Sequence, residues 1–170
     1  YAADYQKQSP ETVARRFLEK RGLLDGPTFP GPPGTVTIGS KVFTEQYILA
    51  EMLRQLVERR TTLRVAAKTG LGGTQICFDA LRTGGIDLYP EYTGTGLLVV
   101  LQPPQAVLDS LRGDRTAVYD YVKQQFASRH QLDWQSPLGF NNAYALMMRN
   151  DQARRLNIRT ISELKGCLER

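Results

Sequence analysis

From Thr35 onward, short β-branched runs alternate with longer apolar runs of helical period, and no other feature of the sequence constrains the fold as strongly. Residues 35–40 and 63–67 have the pattern of strands, and residues 86–89 have that of a third strand before a proline. Between the first two strands, residues 44–57 place apolar side chains on one broad helical face. Strands that alternate with helices are typical of a sheet with crossover connections. The sequence therefore predicts an α/β fold.

The segment before this alternating pattern has a different character. Residues 10–24 place apolar side chains at helical spacing and begin with Pro10, which favours a helix start. Residues 26–34, GPTFPGPPG, are so rich in proline and glycine that we predict a stiff linker instead of a helix or a central strand. Residues 1–34 are therefore expected to form an N-terminal helical appendage that is separate from the main domain.

The rest of the chain predicts mainly helices. Thr44 and Thr74 are expected to cap two of them. Residues 97–101 predict a short helix and residues 114–130 an amphipathic one. Residues 132–148 indicate a strand, a polar loop and a second strand, after which two short helices reach the end of the chain.

Charge and composition argue against several classes of function. The net charge is +5, but the 22 Lys and Arg residues are scattered among 17 Asp and Glu residues, which indicates a solvated surface and not a nucleic-acid interface. The single histidine, His130, has no second histidine at metal-ligand spacing, so no metal site is expected. Cys77 and Cys167 are interpreted as two free thiols, with one disulfide as the alternative.

No pattern in the sequence indicates catalysis or a bound cofactor. The glycine-rich turn at residues 70–73 lacks the ending of a phosphate-binding loop and the spacing of a dinucleotide site. A nucleophile paired with a base is also missing, and we interpret Asp87 and Glu91 as structural carboxylates. We therefore predict that the chain is not an enzyme and that it takes no cofactor.

A candidate binding site lies at the ends of the predicted strands. Ligands of open α/β sheets bind at the carboxyl ends of the strands, where loops and helix starts meet. Polar and aromatic residues follow all three predicted strands and are expected to face one cleft: Ser40 and Lys41, then residues 70–74, then Tyr89, Glu91, Tyr92, Thr93 and Thr95.

The chemistry of these residues suits a small charged ligand. The aromatic faces of Tyr89 and Tyr92 would attract a cation that cannot donate hydrogen bonds, although tyrosines at such positions also serve as packing. Lys41 is either a solvated lysine or a donor to a ligand carboxylate. Asn142 is a turn residue or a weak indication of polar recognition, and Tyr144 begins a predicted strand.

Three runs of the sequence together resemble a known protein family. The runs IGSKVFTEQYILAEML, GGTQICFDALRTGGIDLYPEYTGTG and PLGFNNAYALMMR occur in this order. They are similar to the substrate-binding proteins of glycine betaine/carnitine/choline (osmoprotectant) ABC transporters, and the similarity extends from about Thr35 to Leu168. Val42 departs from the asparagine that relatives often carry after Gly-Ser-Lys.

The resemblance implies a type II periplasmic binding protein, in which two α/β lobes close on the ligand. Residues 35–103 would form the first part of lobe one, and residues 104–170 the first part of lobe two. Members of the family continue beyond the point that corresponds to the end of this chain. We therefore expect a C-terminal truncation that leaves lobe two incomplete, exposes strand edges and weakens ligand binding.

The resemblance also implies roles for individual residues. Tyr92 and Tyr144 match an aromatic cage around a trimethylammonium group, and Tyr89 is their neighbour. Lys41 and Thr95 match positions that bind a ligand carboxylate in betaine-binding relatives. Gln46 and Asn142 are candidates for polar contacts with a hydroxyl or headgroup.

The implied function is capture of a small quaternary-ammonium solute, of the choline, glycine betaine or carnitine type, for an ABC importer permease. The permease would be a separate chain or fused upstream, and the protein would act in the periplasm or on the extracellular face of the membrane. Two alternatives stay open: a ligand-sensing domain of a larger membrane protein, and binding of a related betaine such as ergothioneine.

Overall fold

A pair of parallel strands forms the centre of the computed structural model, which describes residues 6–143 and 146–169. Strand β1 spans Phe29–Lys41 and strand β2 spans Thr61–Gly72. Helix α2, Thr44–Arg60, connects them and packs on both strands. This β–α–β crossover confirms the α/β pattern that the sequence predicts.

Helices make up most of the remaining described chain. Their bounds are Pro10–Lys20 (α1), Thr74–Arg82 (α3), Thr93–Thr95 (α4), Gly96–Leu101 (π1, a π-helix that continues α4), Gln105–Leu111 (α5), Arg115–His130 (α6), Asn150–Leu156 (α7) and Ile161–Leu168 (α8). None of the described helices combines the length and the apolar character that a membrane crossing requires. The chain divides into two compact units, one ending at Gln135 and the other beginning at Ser136. The predicted lobe boundary at residue 104 stays a prediction.

Residues 29–34 of the proline-rich run belong to β1, so this part of the predicted linker is a strand. Phe29 pairs with Thr61 and Gly34 pairs with Leu63, and the register shifts between these two pairs. The Thr62 hydroxyl donates to the Gly31 carbonyl at 2.7 Å within the shifted stretch. Prolines are compatible with extended backbone at an exposed strand end, where their missing N–H groups interrupt few ladder bonds.

The third predicted strand is reduced to a single bridge between Leu88 and Ile38. The Gly39 amide donates to the Leu88 carbonyl at 2.8 Å, and the Asp87 amide donates to the Thr37 carbonyl at 2.8 Å. Pro90 lies two residues after Leu88 and has no N–H to donate to a continuing ladder.

The predicted N-terminal helix is present but ends at Lys20 instead of residue 24. Ser9 caps its start, and Gly22 adopts a φ of +61°, which turns the chain out of the helix. Ala14 and Leu18 are fully buried, and α1 packs against α2. The appendage is therefore docked on the crossover helix.

A hydrophobic core cluster lies between α3, π1 and α6. Its buried members are Phe78, Leu97, Leu101, Val122 and Phe126. The predicted amphipathic helix is confirmed, with Asp114 as its cap, and the predicted helix at 97–101 is a π-helix. Thr44 and Thr74 are the first residues of their helices; Phe43 and Gly73 occupy the cap positions, so the expected threonine caps are wrong.

The unit that begins at Ser136 contains α7 and α8, which confirms the two short terminal helices. The two strands predicted within residues 132–148 do not occur among the described residues of this stretch, which are irregular. A strand requires a backbone partner, and none of the described residues supplies one to this segment.

Candidate functional site

The ends of β1 and of the Leu88 bridge bring four side chains together. Lys41 is the last residue of β1, Gln46 lies in the first turn of α2, and Glu91 and Tyr92 follow Pro90. We call Lys41, Gln46, Glu91 and Tyr92 the Lys41–Glu91 cluster. Because all of these segments end at the carboxyl edge of the same sheet, the topology places them at the position where α/β proteins bind ligands.

The glycine-rich turn after β2 supports the end of β1. The Ser40 hydroxyl accepts a hydrogen bond from the Gly70 amide at 3.0 Å, and the Val42 amide donates to the Gly72 carbonyl at 3.2 Å. Gly70 has a φ of +71°, and a Cβ atom there would approach the Tyr47 hydroxyl to 2.9 Å. The turn therefore serves to hold the backbone around Lys41 and is consistent with a structural role.

Lys41 and Glu91 form a buried ion pair. The Lys41 Nζ lies 2.5 Å from Glu91 Oε1, and the two side chains are only 4% and 5% exposed. The Thr74 hydroxyl lies 3.5 Å from the same ammonium group. Charges are rarely buried without a partner of opposite sign, so each side chain makes the burial of the other tolerable.

Tyr92 is held in place by three members of the cluster. The Lys41 ammonium lies 4.9 Å from the centroid of the Tyr92 ring, and Gln46 Nε2 donates to the Tyr92 hydroxyl at 3.2 Å. The Tyr92 backbone amide donates to Glu91 Oε1 at 2.8 Å. Glu91 Oε1 therefore binds both the ammonium of Lys41 and the backbone that carries the aromatic ring.

Burial dominates the ionisation of the acidic groups here. It raises the pKa of Glu91 above the ordinary value, while Lys41, Tyr89 and Thr74 act in the opposite direction. Burial also raises the pKa of the Tyr89 phenol, and the Glu91 carboxylate raises it further. The phenol of Tyr89 is therefore neutral at physiological pH.

Two buried acceptor atoms of the cluster have no hydrogen-bond partner among the described residues: Gln46 Oε1 and Glu91 Oε2. An unpaired buried acceptor is costly, and ligands or water commonly satisfy such atoms. No group of three His, Cys, Asp or Glu side chains in residues 6–143 and 146–169 is placed to hold a metal ion. Cys77 and Cys167 both carry free thiols.

The structure brings three of the seven candidate residues into the cluster: Lys41, Gln46 and Tyr92. Tyr89 is half-buried and electrostatically coupled to Glu91, and Thr95 is half-buried at the end of α4. Asn142 is exposed in the second unit, and Tyr144 lies outside the described residues. The ligand-binding roles of all seven stay predictions.

Glu91 is the member of the cluster that the sequence placed at the predicted cleft but to which it gave only a structural role. A signal for it exists, because Glu91 directly follows a strand end and stands beside Tyr92 in the run PEY. Its partner lies 50 positions away in the sequence, so the pairing depends on the parallel arrangement of β1 and the Leu88 segment.

Residues 34–169 match the model of the OpuAC family, described as the substrate binding domain of an ABC-type glycine betaine transport system. The chain belongs to this family. The resemblance to glycine betaine- and carnitine-binding proteins is therefore confirmed, and OpuAC proteins are substrate-binding components of transport systems.

Three curated relatives align with most of this chain. A glycine-betaine-binding protein of Pseudomonas aeruginosa is 38% identical over 134 residues, which cover 79% of this chain and 40% of that protein. The carnitine transport binding protein OpuCC of Listeria monocytogenes is 31% identical over 148 residues, and the alignment covers 84% of this chain and 46% of OpuCC. The ergothioneine transport permease/ergothioneine binding protein EgtU of Helicobacter pylori is 32% identical over 130 residues, and the alignment covers 76% of this chain and 22% of EgtU. The chain spans less than half the length of each.

A solved structure gives the same result for the fold. Apo YehZ from Escherichia coli superposes with a TM-score of 0.57 at 27% identity, covering 79% of this chain and 46% of YehZ. The OpuAC match and this superposition confirm a periplasmic binding protein-like α/β fold.

Proposed function

We propose that this OpuAC chain captures a small quaternary-ammonium solute of the choline, glycine betaine or carnitine type and delivers it to an ABC importer permease without chemical turnover. The observation that carries the proposal is the fixed position of Tyr92 at the carboxyl edge of the sheet. The centroid of the Tyr92 ring lies 4.9 Å from the Lys41 ammonium. Hydrogen bonds of the Tyr92 backbone amide and of its hydroxyl hold the residue in place. An immobilised aromatic face with hydroxyl and amide neighbours suits a cation that has no N–H to donate.

The other parts of the proposal follow from family membership. We infer the two-lobed type II architecture, with residues 35–103 in lobe one and residues 104–170 in lobe two. The site of action is the periplasm or the extracellular face of the membrane. The name of EgtU joins a permease and a binding protein, which supports a fused permease as the alternative to a separate one.

The test is isothermal titration of the full-length protein with choline, glycine betaine, carnitine and ergothioneine. Tyr92→Ala is expected to weaken binding of the preferred ligand by about 30-fold, because a desolvated cation–π contact contributes about 2 kcal/mol. Tyr119→Ala is the matched control, since Tyr119 is a half-buried tyrosine on α6 whose hydroxyl donates to the Trp134 carbonyl. Binding that survives Tyr92→Ala unchanged would contradict the proposed site.

Ergothioneine is the second candidate ligand, and the alignment with EgtU is the observation in its favour. It also carries a permanent cation, so the same aromatic face would serve it. Ergothioneine binding without measurable binding of the other three compounds would assign the protein to that class of ligand.

A further inference from the structure

Glu91 controls the charge that the Lys41–Glu91 cluster presents to a ligand. Its Oε1 lies 2.5 Å from the Lys41 ammonium, and burial leaves 5% of the Glu91 side chain exposed. The same oxygen accepts the Tyr92 amide at 2.8 Å. One carboxylate oxygen therefore fixes the position of a cation and that of an aromatic ring.

This arrangement has an electrostatic consequence for ligands. Lys41 alone would attract a ligand carboxylate and repel a ligand ammonium, whereas the Lys41–Glu91 pair carries no net charge. A neutral pair gives little preference between a zwitterion, such as glycine betaine, and a cation without a carboxylate, such as choline. Discrimination between these two classes then depends on how completely Glu91 offsets the charge of Lys41.

Glu91 also retains capacity for interactions with a ligand. Its second oxygen, Oε2, is buried and has no hydrogen-bond partner among the described residues. The same is true of Gln46 Oε1. Glycine betaine has no O–H or N–H group that could satisfy these acceptors, whereas the choline hydroxyl can donate to one of them. Both observations relate Glu91 to the same choice between ligand classes.

We propose that Glu91 is a positioning residue that sets the charge class of the ligand, by holding the Lys41 ammonium and offsetting its charge so that cationic ligands are accepted beside zwitterionic ones. The proposal rests on the proposed function, because it concerns selectivity at the same site. Glu91 acts through Lys41 and Tyr92. Its loss therefore changes the ratio of the affinities for glycine betaine and choline, instead of only lowering both affinities.

The experiment is isothermal titration of the full-length protein with glycine betaine and with choline at neutral pH, because burial raises the pKa of Glu91 and acid would protonate its carboxylate. In Glu91→Gln the unpaired charge of Lys41 is expected to raise the affinity ratio of glycine betaine to choline by about tenfold or more, the size expected for one unit charge near a ligand at an intermediate dielectric. Glu45→Gln is the matched control, because Glu45 is an exposed carboxylate in the first turn of α2. The affinity ratio of glycine betaine to choline in Glu45→Gln is expected to equal that of the unmodified protein.

The double variant Lys41→Met/Glu91→Leu keeps the cluster neutral and decides the question if Glu91→Gln does not fold. Because its cluster is as neutral as the Lys41–Glu91 pair, the ratio of glycine betaine to choline affinity is expected to stay close to that of the unmodified protein. A ratio that changes tenfold or more in the double variant, or that stays constant in Glu91→Gln, overturns the assignment of Glu91, even if both affinities decrease. Absence of binding by the unmodified protein to any of the four quaternary-ammonium compounds would refute the proposed function itself.

Discussion

Lys41→Met is the most informative perturbation of stability, because it leaves the Glu91 carboxylate buried without its partner. Both side chains are almost completely buried. Removing one member of such a pair costs about 3–5 kcal/mol, since the remaining charge loses its compensation while staying out of water. With a urea m-value of about 2 kcal/mol per molar, the denaturation midpoint is expected to fall by roughly 2 M.

The cost of this substitution is expected to depend on pH with a definite sign. Burial raises the folded-state pKa of Glu91 above its unfolded value, and Lys41 opposes that shift. Without Lys41 the pKa rises further, so the folded variant takes up a proton that the unfolded chain has already lost. The stability that protonated Glu91 contributes is present below the unfolded pKa and is lost as pH rises through the folded pKa. The penalty of Lys41→Met is therefore smallest in acid and largest at neutral pH.

Urea titration followed by tryptophan fluorescence measures this directly, because Trp134 is the only tryptophan of the sequence and its ring lies 5.3 Å from Phe126 in the core. Lys41→Met/Glu91→Leu is the control, since replacing both members of a buried pair by apolar side chains is often neutral or stabilising. A single variant that loses less than about 1 kcal/mol at neutral pH, or a double variant as unstable as the single one, would refute the assignment of a buried ion pair.

Two further substitutions test the packing of the fold. Leu18→Ala is expected to lower the free energy of unfolding by about 2–5 kcal/mol, because Leu18 is a fully buried residue of α1, the helix that packs against α2. Phe17→Ala, at an exposed position of the same helix, is expected to cost far less, and urea titration of both variants checks this. Gly96→Ala is expected to lower the free energy of unfolding by about 1–3 kcal/mol, because the added Cβ would lie 2.9 Å from the Trp134 ring. Gly94→Ala is the control, since a Cβ there meets no atom within 4 Å. Similar thermal midpoints for the two variants would contradict this packing.

Features with local causes could be predicted from the sequence. Pro10 at the first position of α1 and Asp114 at the cap of α6 satisfy helix starts through neighbouring residues, and both helices are found where these residues indicate. The periodic apolar face of α2 is local in the same sense. Apolar spacing also identifies the run at 97–101 as helical, but it does not indicate the π-helical form.

Features that depend on a distant partner could not be predicted in this way. The run at residues 29–34 looks like a linker by composition, and it becomes part of β1 because Thr61 and Thr62 provide hydrogen-bond partners. The segment at 86–89 has strand composition, yet its ladder consists of one bridge before Pro90. In both places the outcome is determined by which backbone groups find partners.

The Lys41–Glu91 cluster shows the same distinction at the level of the site. Strand-end position was enough to place Lys41, Glu91 and Tyr92 at one predicted cleft, because the carboxyl edge of a sheet is a general place for ligands. The role of Glu91 depends on a distance of 2.5 Å between residues 50 positions apart. A glutamate beside a tyrosine is otherwise expected to be solvated, and only burial makes its charge decisive for the neighbouring lysine. Ligand selectivity in this OpuAC protein is therefore expected to depend on the neutrality of a buried pair, a property that residue types at the site do not reveal on their own.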